Sequence, residues 1–281
     1  MTTLLHISDL HFGTEKPDVV QAVVALAQHK KPDVLIVSGD ITQRATPGQF
    51  SRARAFCERL GATQMLCLPG NHDIPLYNLW ARLLHPYAGY QAAFGKSLEP
   101  ELTTPSLCIV AVNTTRWWRH KNGQVSAAQI DRACQQLSNA RPEQLRVVVV
   151  HQPVHVLRPQ DEHDRLRGWE AAVRAWAEAG ADMVMGGHIH LPYVCDLSLS
   201  VGGLSRRMWC VQAGTAVSSR VRREAPNSVN LLEFAPAADG LGCSIERWDY
   251  QQHGKRFGRV HTTVIQPHRQ ETSGNIQTLY F

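Results

Sequence analysis

Five short polar clusters, each directly behind an apolar run, constrain what this sequence can fold into more than any other feature. The clusters are Asp9-x-His11, Gly39-Asp40, Gly70-Asn71-His72-Asp73, His151 and Gly187-His188-x-His190. The apolar runs alternate with amphipathic helical stretches, which is typical of a mostly parallel β-sheet covered by helices. Because the carboxyl ends of parallel strands meet at one edge of a sheet, where ligand crevices form, we expect the five clusters to converge there.

The hydrophobic pattern predicts the elements that carry these clusters. Strands are predicted at residues 4–8, 34–38, 64–68, 107–113, 146–151 and 182–186, and helices near residues 19–27, 46–61, 126–137 and 169–179. Beyond residue 190 the pattern changes to strands alone, at residues 194–200, 207–212, 228–234, 244–250 and 259–266. We expect these later strands to form a second, more antiparallel sheet that packs on the first.

Composition bounds the class of protein. The 281 residues are 43% hydrophobic, which is enough for one large core, and no apolar run reaches the ~18–20 residues that span a bilayer. The start of the chain lacks the basic segment of a secretory signal, so the cytoplasm is the expected location. The net charge of +5 comes from scattered Arg and Lys rather than from a basic stripe, so a nucleic-acid partner is not expected. Seven Cys without a CxxC pair predict reduced thiols.

The pattern also predicts how the chain is divided. One domain is expected over residues 1–270, followed by a polar tail over residues 271–281 that has the character of an expression scar. Neither a Gly-rich phosphate loop of P-loop or Rossmann spacing nor a G-x-S-x-G elbow is present in the sequence. The sequence therefore does not support a P-loop nucleotide hydrolase, a Rossmann dinucleotide-binding enzyme or a serine hydrolase of the α/β-hydrolase type.

The residue types in the clusters fit one task. Carboxylates, imidazoles and an amide oxygen suit Mn, Fe, Co or Zn, and the clusters offer no thiolate. In an extended backbone, Asp9 and His11 would project to the same side of the chain. Asp40, alone behind its strand, could bridge two ions with its two oxygens. Two ions about 3.5–4 Å apart activate water and stabilise the attacking and leaving oxygens of a displacement at phosphorus.

In their order and spacing the five clusters resemble the calcineurin-like metallophosphoesterases. The resemblance covers roughly residues 3–215 and implies an α/β fold, a four-layer αββα sandwich of two mixed β-sheets flanked by helices. The Asn71-His72-Asp73 block is similar to the branch that hydrolyses cyclic nucleotides and glycerophosphodiesters. The lipid-A-pathway pyrophosphatases of the family usually carry Arg at the position of His72, so this chain departs from them.

The resemblance also implies a role for each residue of the clusters. One metal ion would be held by Asp9, His11, Asp40 and His190, and the second by Asp40, Asn71, His151 and His188. The two ions, Mn, Fe or Zn, would supply a bridging hydroxide that attacks phosphorus in line. His72 would protonate the leaving group or stabilise charge beside it, and Asp73 would orient His72. A carbonyl or carboxylate is expected on the second ring nitrogen of each ligand His.

Residues that follow the fourth and fifth predicted strands are weaker candidates for substrate binding. Arg116, Trp117 and Trp118 indicate either a substrate-recognition loop, with Arg for a phosphate and Trp for a ring, or a loop packed on a neighbouring helix. His155 lies four residues past His151 and could approach the same pocket. Both interpretations of the Trp loop stay open at this stage.

Two further segments favour ordinary structural roles. The Arg-Val-Arg-Arg sequence at residues 220–223 could reach an acidic substrate, but we favour a solvated cluster. The helical stretch at residues 76–94, with Tyr77, Trp80 and Tyr87, is expected to pack into the core, although its first turn could wall the pocket.

The function that follows from the resemblance is a metal-dependent phosphodiesterase acting on a small phosphodiester such as a 3′,5′-cyclic nucleotide. A phosphomonoesterase or nucleotide pyrophosphatase with the same metals is the first alternative, and a nuclease of the family is the second. An alternative of another class is a non-catalytic scaffold that binds protein partners. The scaffold is disfavoured because all the matched ligand positions and His72 are present. The sequence leaves the oligomeric state open.

Overall fold

The chain folds into four layers, with two six-stranded mixed sheets face to face and helices on both outer surfaces. The computed structural model describes residues 1–237 and 240–268. The predicted αββα sandwich is confirmed. The predicted tail at residues 271–281 lies outside the described residues. Within them, no helix combines the length and apolar character needed to cross a bilayer.

The first sheet has the strand order β12-β11-β10-β1-β2-β3. The strands β1, β2 and β3 are parallel, whereas β10 runs antiparallel to β1 and continues into the antiparallel ribbon of β11 and β12. Their bounds are β1 Thr2–Ile7, β2 Val34–Val37, β3 Gln64–Cys67, β10 Ser228–Ala237, β11 Gly240–Gln251 and β12 Arg256–Ile265.

The second sheet has the order β4-β5-β6-β7-β9-β8. Four central strands are parallel, and the short strands β4 and β8 run antiparallel at the two edges. Their bounds are β4 Glu101–Thr103, β5 Leu107–Ala111, β6 Leu145–Val149, β7 Met183–Gly186, β8 Tyr193–Asp196 and β9 Trp209–Gln212.

The expectation that the later strands form a sheet of their own was wrong. β10, β11 and β12 extend the first sheet, and β8 and β9 extend the second, so each sheet draws on both halves of the chain. The hydrophobic pattern reports which residues are buried but not which open edge a strand joins. The predicted strand at residues 194–200 is also shorter, because a 3₁₀ turn at Leu197–Leu199 follows β8.

Three apolar layers explain why the sandwich holds together. Side chains alternate along each strand, so Leu5 and Ile7 of β1 face the outer helices while Leu4 faces the second sheet. The run Val147–Val149 in β6 is buried on both faces, as a central parallel strand requires. The helices are α1 Pro17–Lys30, α2 Pro47–Arg59, α3 Leu79–Leu84, α4 Ala88–Phe94, α5 Ala127–Ser138 and α6 Trp169–Glu178.

Helix ends follow the local signals in the sequence. The Thr46 side chain accepts a hydrogen bond from the Gln49 backbone N–H ahead of Pro47, the first residue of α2. Ser126 and Gln129 form a capping box at the start of α5. The stretch at residues 76–94 is broken into α3 and α4 around Pro86, which cannot continue a helix.

Residues 76–94 were expected to pack into the core, and for most of that stretch this expectation was wrong. No residue of α3 is buried, and the side chains of Tyr77 and Trp80 are each 75% exposed. Only Tyr90 of α4 is fully buried, and its hydroxyl donates to the Cys67 carbonyl at 2.7 Å. Tyr77 and Trp80 therefore lie at the surface rather than in the interior.

Candidate metal centre

The five clusters lie together at the carboxyl edge of both sheets. Asp9 and His11 follow β1, Asp40 follows β2, Asn71 follows β3, His151 follows β6, and His188 and His190 follow β7. Six of these seven residues are buried, and the side chain of His190 is 14% exposed. Because the two sheets face each other, loops from both converge on one point.

The backbone at this edge is strained in a consistent way. Asp9, His11, Asp40, His188 and His190 all have positive φ, between 42° and 74°. The extended backbone expected for Asp9 and His11 was therefore wrong, and His188 and His190 are not extended either. Non-glycine residues adopt the left-handed conformation rarely, and such strain persists only where the surrounding structure holds it. In this protein the left-handed conformation turns the side chains of these five residues toward the same point.

Glycine allows the two sheets to approach closely beside these residues. A Cβ atom added to Gly187 would lie 1.9 Å from Ser8 Oγ and 2.5 Å from Asp9 Oδ2. The His188 backbone N–H, next along the chain, donates to Asp9 Oδ2 at 2.9 Å. Gly70 has a φ of −98°, which any residue adopts, so its backbone conformation does not require glycine. It is needed because a Cβ atom would meet the Asp40 backbone N at 2.1 Å.

The first group of candidate ligands surrounds one point with four side chains. Asp9, His11, Asp40 and His190 each offer an atom, and these atoms all lie within 4.8 Å of one another. His11 Nε2 lies 3.2 Å from His190 Nε2, 3.7 Å from Asp9 Oδ1 and 3.6 Å from Asp40 Oδ2. Ligand atoms bonded to one ion at about 2.0–2.2 Å lie roughly 3.0–3.6 Å apart, so the group fits a single ion.

The second group uses the other oxygen of Asp40. Asp40 Oδ1 lies 3.3 Å from His151 Nε2, and His151 Nε2 lies 3.3 Å from His188 Nδ1. Asn71 Oδ1 joins them, at 3.2 Å from His151 Nε2. Asp40 thus faces one group with Oδ2 and the other with Oδ1, which is the geometry of a bridging carboxylate.

Hydrogen bonds on the outer ring nitrogens fix which nitrogen faces inward. His151 Nδ1 donates to the Ser38 carbonyl at 2.8 Å, and His190 Nδ1 donates to the Arg220 carbonyl. Nε2 of each ring therefore faces the centre, and it presents a lone pair there when the ring is neutral. His190 Nε2 lies 3.2 Å from Asp9 Oδ1, a buried oxygen with no hydrogen-bond donor among the described residues. Two acceptors this close need a proton or a metal cation between them.

The outer ring nitrogen of His188 faces a carboxylate that the sequence reasoning missed. His188 Nε2 lies 3.5 Å from Asp164 Oδ1, while its Nδ1 faces the second group. Burial works to raise the pKa of Asp164, but His188 and Lys121 overcome it and lower that pKa to about 2. Asp164 lies in a 3₁₀ turn of Pro159–Asp164, between the fourth and fifth clusters in sequence. Nothing in its local pattern marks it as a partner of a ligand.

The two ligand groups hold negatively charged carboxylates deep in the protein. Burial opposes their charge, yet the surrounding imidazoles keep the pKa values of Asp9 and Asp40 well below their usual range. Burial likewise opposes the charge on His151, but Asp40 overcomes it and raises the pKa of His151 to about 9. In the metal-free protein, protons therefore occupy positions that cations would take.

The side chain of Asp73 does not touch His72, so the orienting role expected from the family resemblance has no contact behind it. Asp73 Oδ1 accepts from the Thr42 backbone N–H at 2.8 Å, and Oδ2 accepts from the N–H groups of Ile41 and Gly70. Asp73 therefore ties the loop after β2 to the loop after β3. His72 is oriented instead by the Gln43 carbonyl, to which its Nδ1 donates at 3.2 Å.

Arg220 is the functional candidate that the sequence analysis set aside as a solvated residue. Its Nη1 lies 3.0 Å from His72 Nε2 and 3.0 Å from Gln43 Oε1, and its carbonyl orients His190. The His72 ring in turn packs edge-on against His11, with 4.8 Å between ring centroids. The expected solvated cluster was wrong for Arg220, because its loop after β9 folds back over the first ligand group.

The predicted substrate residues have different local surroundings. Arg116 is turned into the protein, where its guanidinium donates to the carbonyls of Asn113 and Thr115 and to Gln129 Oε1. Trp117 and Trp118 pack against each other and are 37% and 57% exposed. The His155 carbonyl accepts a hydrogen bond from the Tyr193 hydroxyl. Substrate binding by these four residues stays a prediction.

Comparison with known families identifies the class of protein. Residues 2–192 match the calcineurin-like phosphoesterases, and this chain belongs to that family. Family membership and the two ligand groups together support a phosphoester hydrolase that uses two divalent metal ions. The resemblance read from the five clusters is thereby confirmed.

Characterised relatives are distant. The chain is 23% identical over 236 residues to a cAMP/cGMP dual specificity phosphodiesterase from Mycobacterium tuberculosis, an alignment that covers 73% of this chain and 72% of that protein. It is 35% identical over 85 residues to a glycerophosphodiester phosphodiesterase from Enterobacter lignolyticus, covering 25% of this chain and 29% of the other. A transmembrane protein with a metallophosphoesterase domain from Danio rerio is 30% identical over 120 residues, which are 39% of this chain and 26% of its own length.

Solved structures share the fold. A dimetal phosphatase from Danio rerio superimposes with a TM-score of 0.66 at 14% identity, over 95% of this chain and 99% of that one. A purple acid phosphatase from yellow lupin gives a TM-score of 0.64 at 12% identity, over 94% of this chain and 53% of the other. At these identities the likeness supports the sandwich architecture alone.

Proposed function

We propose that this protein is a dimetal phosphodiesterase acting on a small phosphodiester such as a 3′,5′-cyclic nucleotide. The observation that carries the proposal is the position of Asp40, whose two oxygens face two separate groups of ligand atoms. Such an arrangement serves a displacement at phosphorus, in which the attacking and the leaving oxygen both need stabilisation.

In this proposal Asp9, His11, Asp40 and His190 hold one ion, and Asp40, Asn71, His151 and His188 hold the other. The pair, when bound, activates a water molecule and neutralises the charge on the phosphate oxygens. The outer ring nitrogens of His151 and His190 are hydrogen bonded to the Ser38 and Arg220 carbonyls, and that of His188 faces Asp164, so these three rings are oriented before an ion arrives. Mn, Fe and Zn all suit this donor set.

His72 and Arg220 act on the parts of the substrate that face away from the ions. His72 Nδ1 donates to the Gln43 carbonyl, which leaves Nε2 as the nitrogen that would take up a proton from solvent and pass it to the leaving oxygen. In the substrate-free protein Arg220 Nη1 lies within hydrogen-bonding distance of His72 Nε2, at 3.0 Å. A phosphate oxygen is a stronger partner for a guanidinium than a neutral ring nitrogen, so substrate draws Arg220 away and releases His72.

Substrate preference is proposed from the relatives and from the third cluster. Two relatives are named as phosphodiesterases of cyclic nucleotides or glycerophosphodiesters, and this chain carries Asn71-His72-Asp73. A cytoplasmic location is proposed on the seven free cysteines, which suit a reducing compartment. The metal site alone does not select the leaving group, so the diester preference needs its own test.

The test compares a diester with a monoester on the Mn²⁺-loaded protein. We expect bis-p-nitrophenyl phosphate to be hydrolysed faster than p-nitrophenyl phosphate, and a 3′,5′-cyclic nucleotide to be opened to its monophosphate. A preference for the monoester would move the assignment to a phosphatase. Bound metal without turnover of any of the three substrates would overturn the proposed activity.

The role of His72 is tested with two leaving groups. In His72→Ala we expect turnover of the cyclic nucleotide, whose alkoxide needs a proton, to fall by a factor of about 10²–10⁴. Turnover of the nitrophenyl diester should fall much less, because nitrophenolate leaves without protonation. Equal losses for both substrates would remove His72 as the general acid. His253→Ala, a change to an exposed His in the turn between β11 and β12 and outside the two ligand groups, is the control.

A further inference from the structure

An exposed apolar surface lies beside the metal centre and plays no part in the chemistry above. It is formed by α3 and its flanks together with the loop after β5, and we call it the aromatic patch: Tyr77, Leu79, Trp80, Leu83, Leu84, Trp117 and Trp118. The side chains of Leu79 and Trp80 are 72% and 75% exposed, and Leu84 is 60% exposed. Contiguous exposed apolar surface of this kind marks an interaction site.

The two segments of the aromatic patch are fastened to each other. Arg82 Nη2 donates to the Arg119 carbonyl at 2.9 Å, and Arg82 Nη1 donates to the Pro75 carbonyl at 3.1 Å. The hydroxyls of Tyr87 and Thr115 form a second link of 2.8 Å. The helix and the Trp loop therefore present one surface, although about 40 residues of sequence separate them.

The aromatic patch is positively charged. Residues 74–98 and 102–130 contain no Asp or Glu at all, whereas they carry Arg82, Arg119 and Lys121 among their cations. Lys121 pairs with Asp164 at 2.7 Å. In the part of the chain that the structure describes, Arg82 and Arg119 form no ion pair with a carboxylate. Arg44, whose Nη1 donates to the Tyr77 hydroxyl at 3.1 Å, adds a third such cation.

We infer that the aromatic patch docks the protein onto an anionic phospholipid bilayer. Trp and Tyr favour the boundary between water and lipid because each joins an apolar body to a polar tip. Exposed Leu side chains gain from entering the acyl region, and Arg side chains gain from anionic head groups. The aromatic patch combines all three on one short helix and one loop.

Two other occupants fit the surface less well. A second copy of this chain would bring the same cations face to face, with no carboxylate in either segment to offset them. A single-stranded nucleic acid would use the Trp rings and the Arg side chains, but it would leave Leu79, Leu83 and Leu84 in water. Only a lipid surface uses the aliphatic, aromatic and cationic side chains together.

Vesicle flotation of the full chain tests the inference. We expect binding to phosphatidylcholine vesicles that contain about 30 mol% phosphatidylglycerol, weaker binding to phosphatidylcholine alone, and a decrease with added salt. Trp80→Ser together with Leu84→Ser should lower the affinity roughly tenfold or more, because both side chains lose their place in the acyl region. Leu199→Ser, which removes an 86% exposed Leu outside the aromatic patch, is the matched control and should bind as the unchanged protein does.

The outcomes separate the possible occupants. Binding to the anionic vesicles that fails in the double variant and persists in Leu199→Ser supports lipid docking. No flotation with anionic vesicles, or equal flotation of both variants, would overturn it. Self-association or oligonucleotide binding that the double variant abolishes, without vesicle binding, would reassign the aromatic patch. Turnover of a water-soluble diester is measured in parallel and should be unchanged, so the inference stands or falls independently of the proposed function.

Discussion

The metal centre and the aromatic patch lie side by side, yet they are built in opposite ways. In the metal centre the side chains are buried, five residues hold positive φ, and the outer ring nitrogens of His151 and His190 are hydrogen bonded. In α3 no residue is buried, and the contacts that hold the patch are mostly hydrogen bonds to backbone carbonyls. Catalysis needs atoms fixed to within a fraction of an ångström, whereas a docking surface needs only exposure and charge.

Apart from the metal ligands and His72, the largest effect on activity is expected at Arg220. In Arg220→Met we predict that kcat/KM for a diester falls roughly a hundredfold, because a charged donor near the phosphate is lost. Arg223→Met, in the same loop but exposed, is the control and should change little. Steady-state kinetics on Mn²⁺-loaded protein provides the measurement. Equal effects of the two substitutions would show that Arg220 does not contact the substrate and is an ordinary solvated arginine.

The close approach at Gly187 gives the next largest effect. In Gly187→Ala the added methyl group meets Ser8 and Asp9, so we predict a loss of about 2 kcal/mol in the free energy of unfolding, which is roughly a thirtyfold change in the folding equilibrium. Gly202→Ala is the control, because nothing lies within 4 Å of a Cβ at that position. Urea denaturation measures both. A Gly187→Ala protein as stable as Gly202→Ala would show that the edge is less tightly held than we describe.

Protons compete with cations at the metal centre, and the direction follows from His151. Its pKa of about 9 lies above neutral pH, so the metal-free protein carries a proton there at pH 7 that an ion must displace. Metal affinity should therefore rise with pH, by roughly tenfold per pH unit between pH 7 and 9, and level off above. Calorimetry in buffers of different ionisation enthalpy should detect proton release on Mn²⁺ binding. An affinity that does not change over this range would contradict the charge assigned to His151.

The smallest effect is expected at the aromatic patch. Trp80→Ser should change the free energy of unfolding by no more than about 0.5 kcal/mol, because the side chain is 75% exposed and packs against little. The companion change Trp176→Ser removes a fully buried Trp and should cost several times more, about 3–5 kcal/mol. Urea denaturation of both variants provides the measurement. Similar losses in both would mean that α3 is part of the core after all.

The fold class and the five clusters could be predicted from the sequence because both depend on local signals. Apolar runs such as Val147–Val149 predict strands, and the polar residues behind them are adjacent in sequence. The sheet that each later strand joins depends on pairing between distant segments, so β10 was assigned to the wrong sheet. Asp164 and Arg220 went unrecognised for the same reason. Each reaches its partner from a loop far away in sequence, and only the folded chain brings them together.

The aromatic patch was misjudged for a different reason. Tyr77, Trp80 and the leucines around them have the composition of a core helix, and composition alone favours burial. Pro86 limits α3 to six residues, which is too short to pack a full face against the sheet. The exposure of that helix is therefore a property of chain length and connection rather than of hydrophobicity.

The central claim is that Asp40 is shared by two metal ions, and counting bound ions tests it most directly. The wild-type protein, Asp40→Asn and Asp33→Asn would be loaded with Mn²⁺, dialysed, and measured for bound metal and diester turnover. Asp33 precedes β2 at the opposite edge of the sheet, where its carboxylate accepts from the Thr3 N–H. We predict two ions per chain in the wild type and in Asp33→Asn, and in Asp40→Asn fewer ions with turnover lowered about a thousandfold. Two ions and full turnover in Asp40→Asn, or fewer than two ions in the wild type, would contradict the account.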